Sequence, residues 1–449
     1  MALALETTIR SIVRGGISTL AEFNRKRLPL PDKPHPYLRG IHAPMDSELT
    51  YTDLEVTGAI PPQLNGRYLR IGPNPIAADP KSYHWFLGDG MVHGVSLQAG
   101  RAGWYRNRWI RSRSVGKALD VPAAAGPRHS VFDTVNTNVI GHDGSAWALV
   151  EAGSTPVKLG EMLDEQSYDD FGGTLDGGFT GHPHRDPASG ELHAICYDAT
   201  VPNEVRHVVV APDGRFSMGA LVGGRGYPFR WNRSHQARIG LLPREGSASD
   251  VIWIDVDPCY IFHTVNAFDL PDGRVVLDAV VYDRMFHATH QGPDANPRGL
   301  ERWMIDPEAR TAERHLIDPS PQEFPRIDER RTGRAYRFAY SMDLPKVFSD
   351  QLVGATSIFR HDLEAGTRQR HEFGPNRFPG EFVFVPRHAN AAEDEGWLLG
   401  FVVDMGNNLT DLAIIDAQAF EAEPVATVRI PHCVPAGFHG NWVASPSYG

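Results

Sequence analysis

Apolar side chains between residues 2 and 24 recur at Leu5, Ile9, Ile12, Val13, Ile17, Leu20 and Phe23. That spacing lines one face of a helix. Asp32-Lys33-Pro34-His35-Pro36 ends it, because proline removes a backbone donor and clashes with the preceding turn. The polar face carries only Arg10, Arg14 and a few later basic residues, which favours packing on the body of the protein. A peripheral, monotopic membrane contact is the alternative. From residue 50 the pattern changes to period two. Short apolar or alternating runs at 146–150, 207–210, 275–281, 381–385 and 397–403 are separated by turn sequences. These are His142-Asp143-Gly144, Pro212-Asp213-Gly214, Pro271-Asp272-Gly273 and Glu364-Ala365-Gly366. Asp-Gly between alternating runs signals a tight hairpin. Helical periodicity is almost absent and no composition shift marks a linker. Consecutive hairpins remove their exposed edges most readily by radial repetition, so an all-β fold, a β-propeller, is expected, with paired sandwiches as runner-up. The chain divides into an N-terminal extension with the amphipathic helix, 1–49, and one propeller domain, 50–449.

Composition narrows the function classes. The 449 residues are 41% hydrophobic and 22% charged, and no apolar run approaches the roughly 20 residues of a spanning helix. The net charge of −11 is spread along the chain without a basic block, which argues against nucleic acid as a partner. Cys196, Cys259 and Cys433 are odd in number and widely spaced, so neither a disulfide framework nor a thiolate zinc site is expected. The N-terminus lacks the charged, apolar and small-residue series of a signal peptide, so the cytoplasm is the expected compartment. No nucleotide-binding glycine motif, P-loop or serine nucleophile elbow is present. Histidine is abundant at 20 residues, and imidazole is a common ligand of transition metals.

Four stretches depart from ordinary strand-and-turn sequence. They are Gly66-Arg67-Tyr68-Leu69-Arg70-Ile71-Gly72-Pro73-Asn74-Pro75 with the following His84–Gly94 segment, Phe179-Thr180-Gly181-His182-Pro183-His184, Pro258–Ala267 around His263, and Gly437-Phe438-His439-Gly440-Asn441-Trp442. Three of them place a histidine at the end of an apolar strand beside small or turn residues, where the inner strands of a propeller reach its axis.

Together with Asn136-Thr137-Asn138 and Glu323-Phe324-Pro325-Arg326-Ile327-Asp328, these motifs resemble the carotenoid cleavage oxygenase family, from about Gly58 onward. The resemblance implies a seven-bladed β-propeller, with one blade incomplete as the alternative, and a non-haem Fe(II) ion on its axis held by four histidines. Three carry over: His182, His263 and His439. It also implies an outer shell of glutamates, matched by Glu151, Glu323 and Glu381. A carboxylate on the far ring nitrogen fixes the imidazole tautomer and raises ligand basicity. Read as surface strand residues, Glu151 and Glu381 would be costly, because both lie in apolar runs. His84 and His93 flank a Gly-Asp-Gly turn in a segment that is structural in the family, and His184 shares the face of His182 only if a strand survives Pro183, so none of the three is expected to be a ligand.

The family's second iron histidine belongs between His182 and His263, in a motif of the Met-His-Asp type, and is not found here. The chain passes from Arg215-Phe216-Ser217-Met218-Gly219-Ala220-Leu221-Val222 directly into Gly223-Gly224-Arg225. The deficit is roughly 40 residues, about one propeller blade. His207 and His235, the remaining histidines of the interval, match non-ligand sequence. Three readings stay open: iron on three histidines with extra water, loss of iron and activity, or a segment missing from this sequence. The implied reaction is cleavage of a carbon–carbon double bond of a carotenoid or apocarotenoid by O2, giving carbonyl products. Stilbene-cleaving relatives carry a lysine near the position of Glu151, and Ala148-Leu149-Val150-Glu151-Ala152-Gly153 has none. A stilbene substrate, or a non-catalytic polyene-binding propeller, are the alternatives.

Overall fold

The computed structural model describes residues 23–29, 31–129, 133–151, 153–173, 175, 177–197, 205–206, 231–232, 236–243, 246–287, 296–345 and 354–445. The amphipathic stretch up to residue 22, the run at 207–210, the turn at 212–214, His207 and His235 lie outside them.

Among the described residues, five antiparallel sheets of four to six strands follow one another along the chain. The first runs Thr50–Tyr51, Arg101–Trp109, Gly90–Gln98, Gly66–Pro73 and finally Gly440–Ala444. The second holds Asn138–His142, Ser145–Leu149, Val157–Leu159 and Gln166–Tyr168. The third runs from Thr264–Asp269 to Thr311–Asp318, and the fourth from Gln322–Arg326 to Thr367–Glu372. The fifth orders Val56–Gly58, Ala426–Ile430, Leu409–Asp416 and Gly396–Asp404, with Arg377–Pro379 and Val383–Pro386 both pairing on the last. Between the second and third sheets the described strands form only two-stranded ribbons, among them His184–Arg185 with Leu192–His193 and Ala237–Leu241 with Ile252–Val256.

The local sequence explains these hairpins. At His142-Asp143-Gly144 the strands Asn138–His142 and Ser145–Leu149 are joined by two residues, Asp143 at φ 48° and Gly144 at φ 66°. Positive φ at both central positions is the turn whose twist matches the flanking strands. The apolar run expected at 381–385 begins later, at Val383, because Glu381 lies in the break between two short strands.

Neighbouring sheets pack face to face in ring order. Tyr68 and Val95 of the first meet Leu399, Phe401 and Leu412 of the fifth; Leu69 and Ile71 meet Val139 and Ala148 of the second; Phe338 and Tyr340 of the fourth meet Leu398 and Ile415 of the fifth. Val265 and Val280 of the third join Ala339 of the fourth. The ring is interlocked by the chain's two ends, since Val56–Gly58 completes the fifth sheet and Gly440–Ala444 the first. Gly72 permits that closure: a Cβ there would lie 2.5 Å from Cα of Gly437. Among the described residues no helix is long and apolar enough to cross a membrane.

Phe420, 1% exposed, fills the seam between the fourth and fifth sheets. Phe420→Ala is expected to cost about 3–5 kcal/mol, read as a lowered midpoint of denaturant unfolding.

Candidate metal centre

The innermost strands bring three histidines to one point. His263 immediately precedes the first strand of the third sheet, and its carbonyl accepts from the Val280 amide at 3.2 Å. His439 immediately precedes the closing strand of the first sheet. Its amide donates to the Thr137 carbonyl at 3.2 Å, and its carbonyl accepts from the Ile71 amide at 3.1 Å. His182 follows Gly181, whose carbonyl accepts from Asn138 Nδ2 at 2.9 Å. Asn136-Thr137-Asn138 therefore anchors two of the three loops, and Asn136 Nδ2 donates to the Phe86 and Gly88 carbonyls.

His182 Nε2 and His439 Nε2 are 3.0 Å apart, and His263 Nε2 and His439 Nε2 3.1 Å. Each opposite nitrogen faces a carboxylate. His182 Nδ1 is 3.0 Å from Glu151 Oε2, His263 Nδ1 is 2.5 Å from Glu323 Oε2, and His439 Nδ1 is 3.0 Å from Glu381 Oε1. The carboxylates are oriented in turn. Glu151 Oε2 accepts from the Gly181 amide at 2.9 Å and from Thr180 Oγ1 at 3.1 Å. Glu323 accepts from the Tyr282 hydroxyl at 3.1 Å and from the Phe324 amide at 2.6 Å, and Glu381 Oε2 from the Gly440 amide at 2.9 Å. Glu323 is 0% exposed, so a surface-strand role for it is ruled out.

Electrostatics follow from this packing. Burial pushes the His439 imidazole down to about 3, reinforced by His263 and His182 against the pull of Glu381. Burial would also lower His263, but the charge and hydrogen bond of Glu323 outweigh it and raise the value. Glu381 is held at about 2: burial opposes ionisation, and Arg326, His439 and the Gly440 amide overcome it. Glu151 is lowered as well, its burial outweighed by His182, Gly181 and Thr180.

A carboxylate accepts only, so a neutral imidazole facing one carries its proton on Nδ1 and leaves Nε2 bare. Bare lone pairs 3 Å apart repel, and a proton or a metal cation must sit among them. The donor set fits a transition metal: three neutral imidazole nitrogens, each backed by a carboxylate, suit Fe(II). Among the described residues this is the only group of three or more potential metal ligands. His84 instead accepts the Phe86 amide at its Nδ1, at 3.2 Å, and His93 Nδ1 lies 2.9 Å from the Tyr105 hydroxyl. His184 lies in a ribbon strand, outside the group.

The model of the retinal pigment epithelial membrane protein family matches residues 42–222 and 215–444. The chain belongs to this carotenoid cleavage oxygenase family. A carotenoid cleavage oxygenase of Mycobacterium tuberculosis is 39% identical, over 91% of this chain and 97% of its own length. The apocarotenoid-15,15′-oxygenase of Synechocystis is 27% identical, over 91% and 96%. Among solved structures, cobalt-substituted Synechocystis apocarotenoid oxygenase superposes with a TM-score of 0.77 at 25% identity, covering 92% of this chain and 99% of that one. A lignostilbene dioxygenase of Pseudomonas brassicacearum shares the fold, with a TM-score of 0.80 at 24% identity over 93% and 99%. The alignment with the mycobacterial oxygenase spans 492 positions against the 449 residues of this chain, so at least 43 of them have no residue here. The two stretches matched by the family model overlap at residues 215–222, the place of the expected deficit.

Sequence pattern alone does not mark Tyr282 or Arg326 as part of the site. Tyr282 ends an apolar strand and looks like core, and Arg326 stands inside a quoted motif without a chemical reason to be chosen.

Below its raised pKa, His263 keeps a proton that a metal ion must displace; above it no proton competes. Cobalt(II) affinity is therefore expected to rise with pH through the range above 6.5 and then level off. Glu323→Gln lowers the His263 pKa and moves that rise to lower pH, checked by metal titration across pH at fixed ionic strength.

Proposed function

We propose that this oxidoreductase is an Fe(II)-dependent dioxygenase that cleaves a carbon–carbon double bond of a carotenoid or apocarotenoid with O2. The observation that carries the proposal is the convergence of His182, His263 and His439, with every Nδ1 on a carboxylate. The naming of the 39% identical relative supports the substrate class.

In this reading the three Nε2 atoms hold the metal, and the three glutamates keep the ring protons on Nδ1 so that the lone pairs stay inward. When bound, Fe(II) supplies the redox chemistry through which O2 reacts with an alkene. The alkene provides the electrons, so no nicotinamide or flavin is required, and alkene plus O2 balances as two carbonyl groups. The protein's remaining task is to place an apolar chain beside the histidines and keep water away. Aromatic rings are grouped there for it. Phe262 lies 6.2 Å from the His263 ring, with Tyr260 at 4.7 Å and Phe86 at 6.0 Å from Phe262. Phe324 is 5.4 Å from His263 and 5.3 Å from His439. Rigid aromatic walls suit a conjugated polyene and orient it at little entropic cost.

The deciding experiment is Fe(II) loading of anaerobically purified protein, desalting, elemental analysis, and incubation with a carotenoid, an apocarotenoid and a hydroxylated stilbene. Iron near one per chain, with O2 consumed and carbonyl products formed from a polyene, is expected. Polyene binding without iron would instead establish the non-catalytic propeller, and cleavage of the stilbene alone would reassign the substrate. His263→Ala is expected to lose both iron and cleavage. Glu323→Gln should retain the fold and bind metal roughly 10–100-fold more weakly.

A further inference from the structure

The strand Gln322–Arg326 departs from strand regularity. Residues 323 and 326, three apart, would point to opposite faces of an unbroken strand. Here the pairing with Phe338–Asp343 shifts register between Glu323 and Arg326, and Phe324 between them has φ 52°. An aromatic residue in the left-handed region is strained and persists only where its surroundings impose it. The kink turns both charged side chains to the axis: Glu323 reaches His263, and the Arg326 guanidinium reaches the loop of His439.

Arg326 grips that loop from two sides. Its Nη1 lies 3.7 Å from Glu381 Oε1, the oxygen that faces His439 Nδ1. Its Nη2 donates to Asn441 Oδ1 and approaches the Gly440 carbonyl at 3.5 Å, the two residues that follow His439. The remaining contact, Glu329 Oε1 at 3.0 Å, is to a side chain 60% exposed, whose charge water largely screens. Asn441 passes the connection on, with Nδ2 donating to Asn138 Oδ1 at 3.2 Å and to the Val139 carbonyl at 2.9 Å in the second sheet. One guanidinium of the fourth sheet thereby ties the Glu381 turn of the fifth to the closing strand of the first. Glu151 and Glu323 are held by neutral donors besides their histidine, whereas Glu381 has one amide and this cation. Another buried arginine, Arg70, also feels the charge of Glu381, but its Nη2 donates to the Pro435 carbonyl rather than to the His439 loop.

We infer that Arg326 is a positioning residue of the metal centre, fixing His439 through Glu381 and Asn441 and coupling it, along one kinked strand, to the carboxylate of His263. The inference rests on the three-histidine reading and assigns Arg326 no contact with substrate.

The test is cobalt(II) binding to the full chain, following affinity and the visible d–d bands, which report ligand geometry. Arg326→Met keeps side-chain length and removes the charge and the fork. It should bind cobalt(II) roughly 10–100-fold more weakly, with displaced bands. Arg326→Lys restores the charge but not the two-sided grip, and should recover part of the affinity with bands still displaced. Phe420→Ala, destabilised at a seam between sheets, should keep wild-type bands, which separates positioning from general loss of stability. Wild-type affinity and bands in folded Arg326→Met would overturn the inference and leave the metal-centre reading standing. Should Arg326→Met fail to fold, wild-type bands in Arg326→Lys would do the same. Failure of the wild-type chain to bind cobalt(II) would overturn both.

Discussion

Three imidazole lone pairs gathered at one point, those of His182 and His263 each about 3 Å from that of His439, are the constraint on which the rest of the structure depends. Left alone they repel, and each ring would turn to find a donor. The structure prevents this by placing a carboxylate behind every ring, so that rotation would forfeit an Nδ1–H bond. Buried carboxylates are themselves unfavourable unless bonded. Each is accordingly met by a backbone amide: that of Gly181, just before His182; that of Gly440, just after His439; and that of Phe324, just after Glu323 itself. In two of the three cases the same short loop therefore supplies both the imidazole and the amide that orients its carboxylate.

A ring of sheets suits this requirement. Each of the five sheets contributes one axial group at or beside a strand and a loop supplies the sixth, so no single hairpin could present them all. The histidines come from the first and third sheets and from the loop after the second; the carboxylates come from the second, fourth and fifth. Every histidine–carboxylate pair except that of His182 therefore joins two different sheets, so the site is also part of what holds the ring together.

Much of this is legible in the sequence. Asp143-Gly144 specifies its two-residue turn chemically, and the apolar runs at 275–281 and 397–403 become strands because their side chains have cores on both faces. The histidines and glutamates stand in long motifs that identify the family. What the one-dimensional pattern does not carry is convergence. Nothing local says that Glu323 and Arg326 share a face, since alternation predicts the reverse, and the kink at Phe324 depends on packing against His263 and His439, far away in the chain. Tyr282 has the same difficulty: its burial is readable, but its hydroxyl's partner is not.

The interlocking of the ends has a consequence for how the protein is made. His439 follows every other axial group in chain order, and its strand pairs with Gly66–Pro73, more than three hundred and fifty residues earlier. On the ribosome the first sheet must wait, with the edge of Gly66–Pro73 unpaired, while the intervening sheets emerge. The three-histidine cluster is complete only when this last strand docks. The nascent chain passes through synthesis without the complete histidine cluster, which is an attribute of the finished fold.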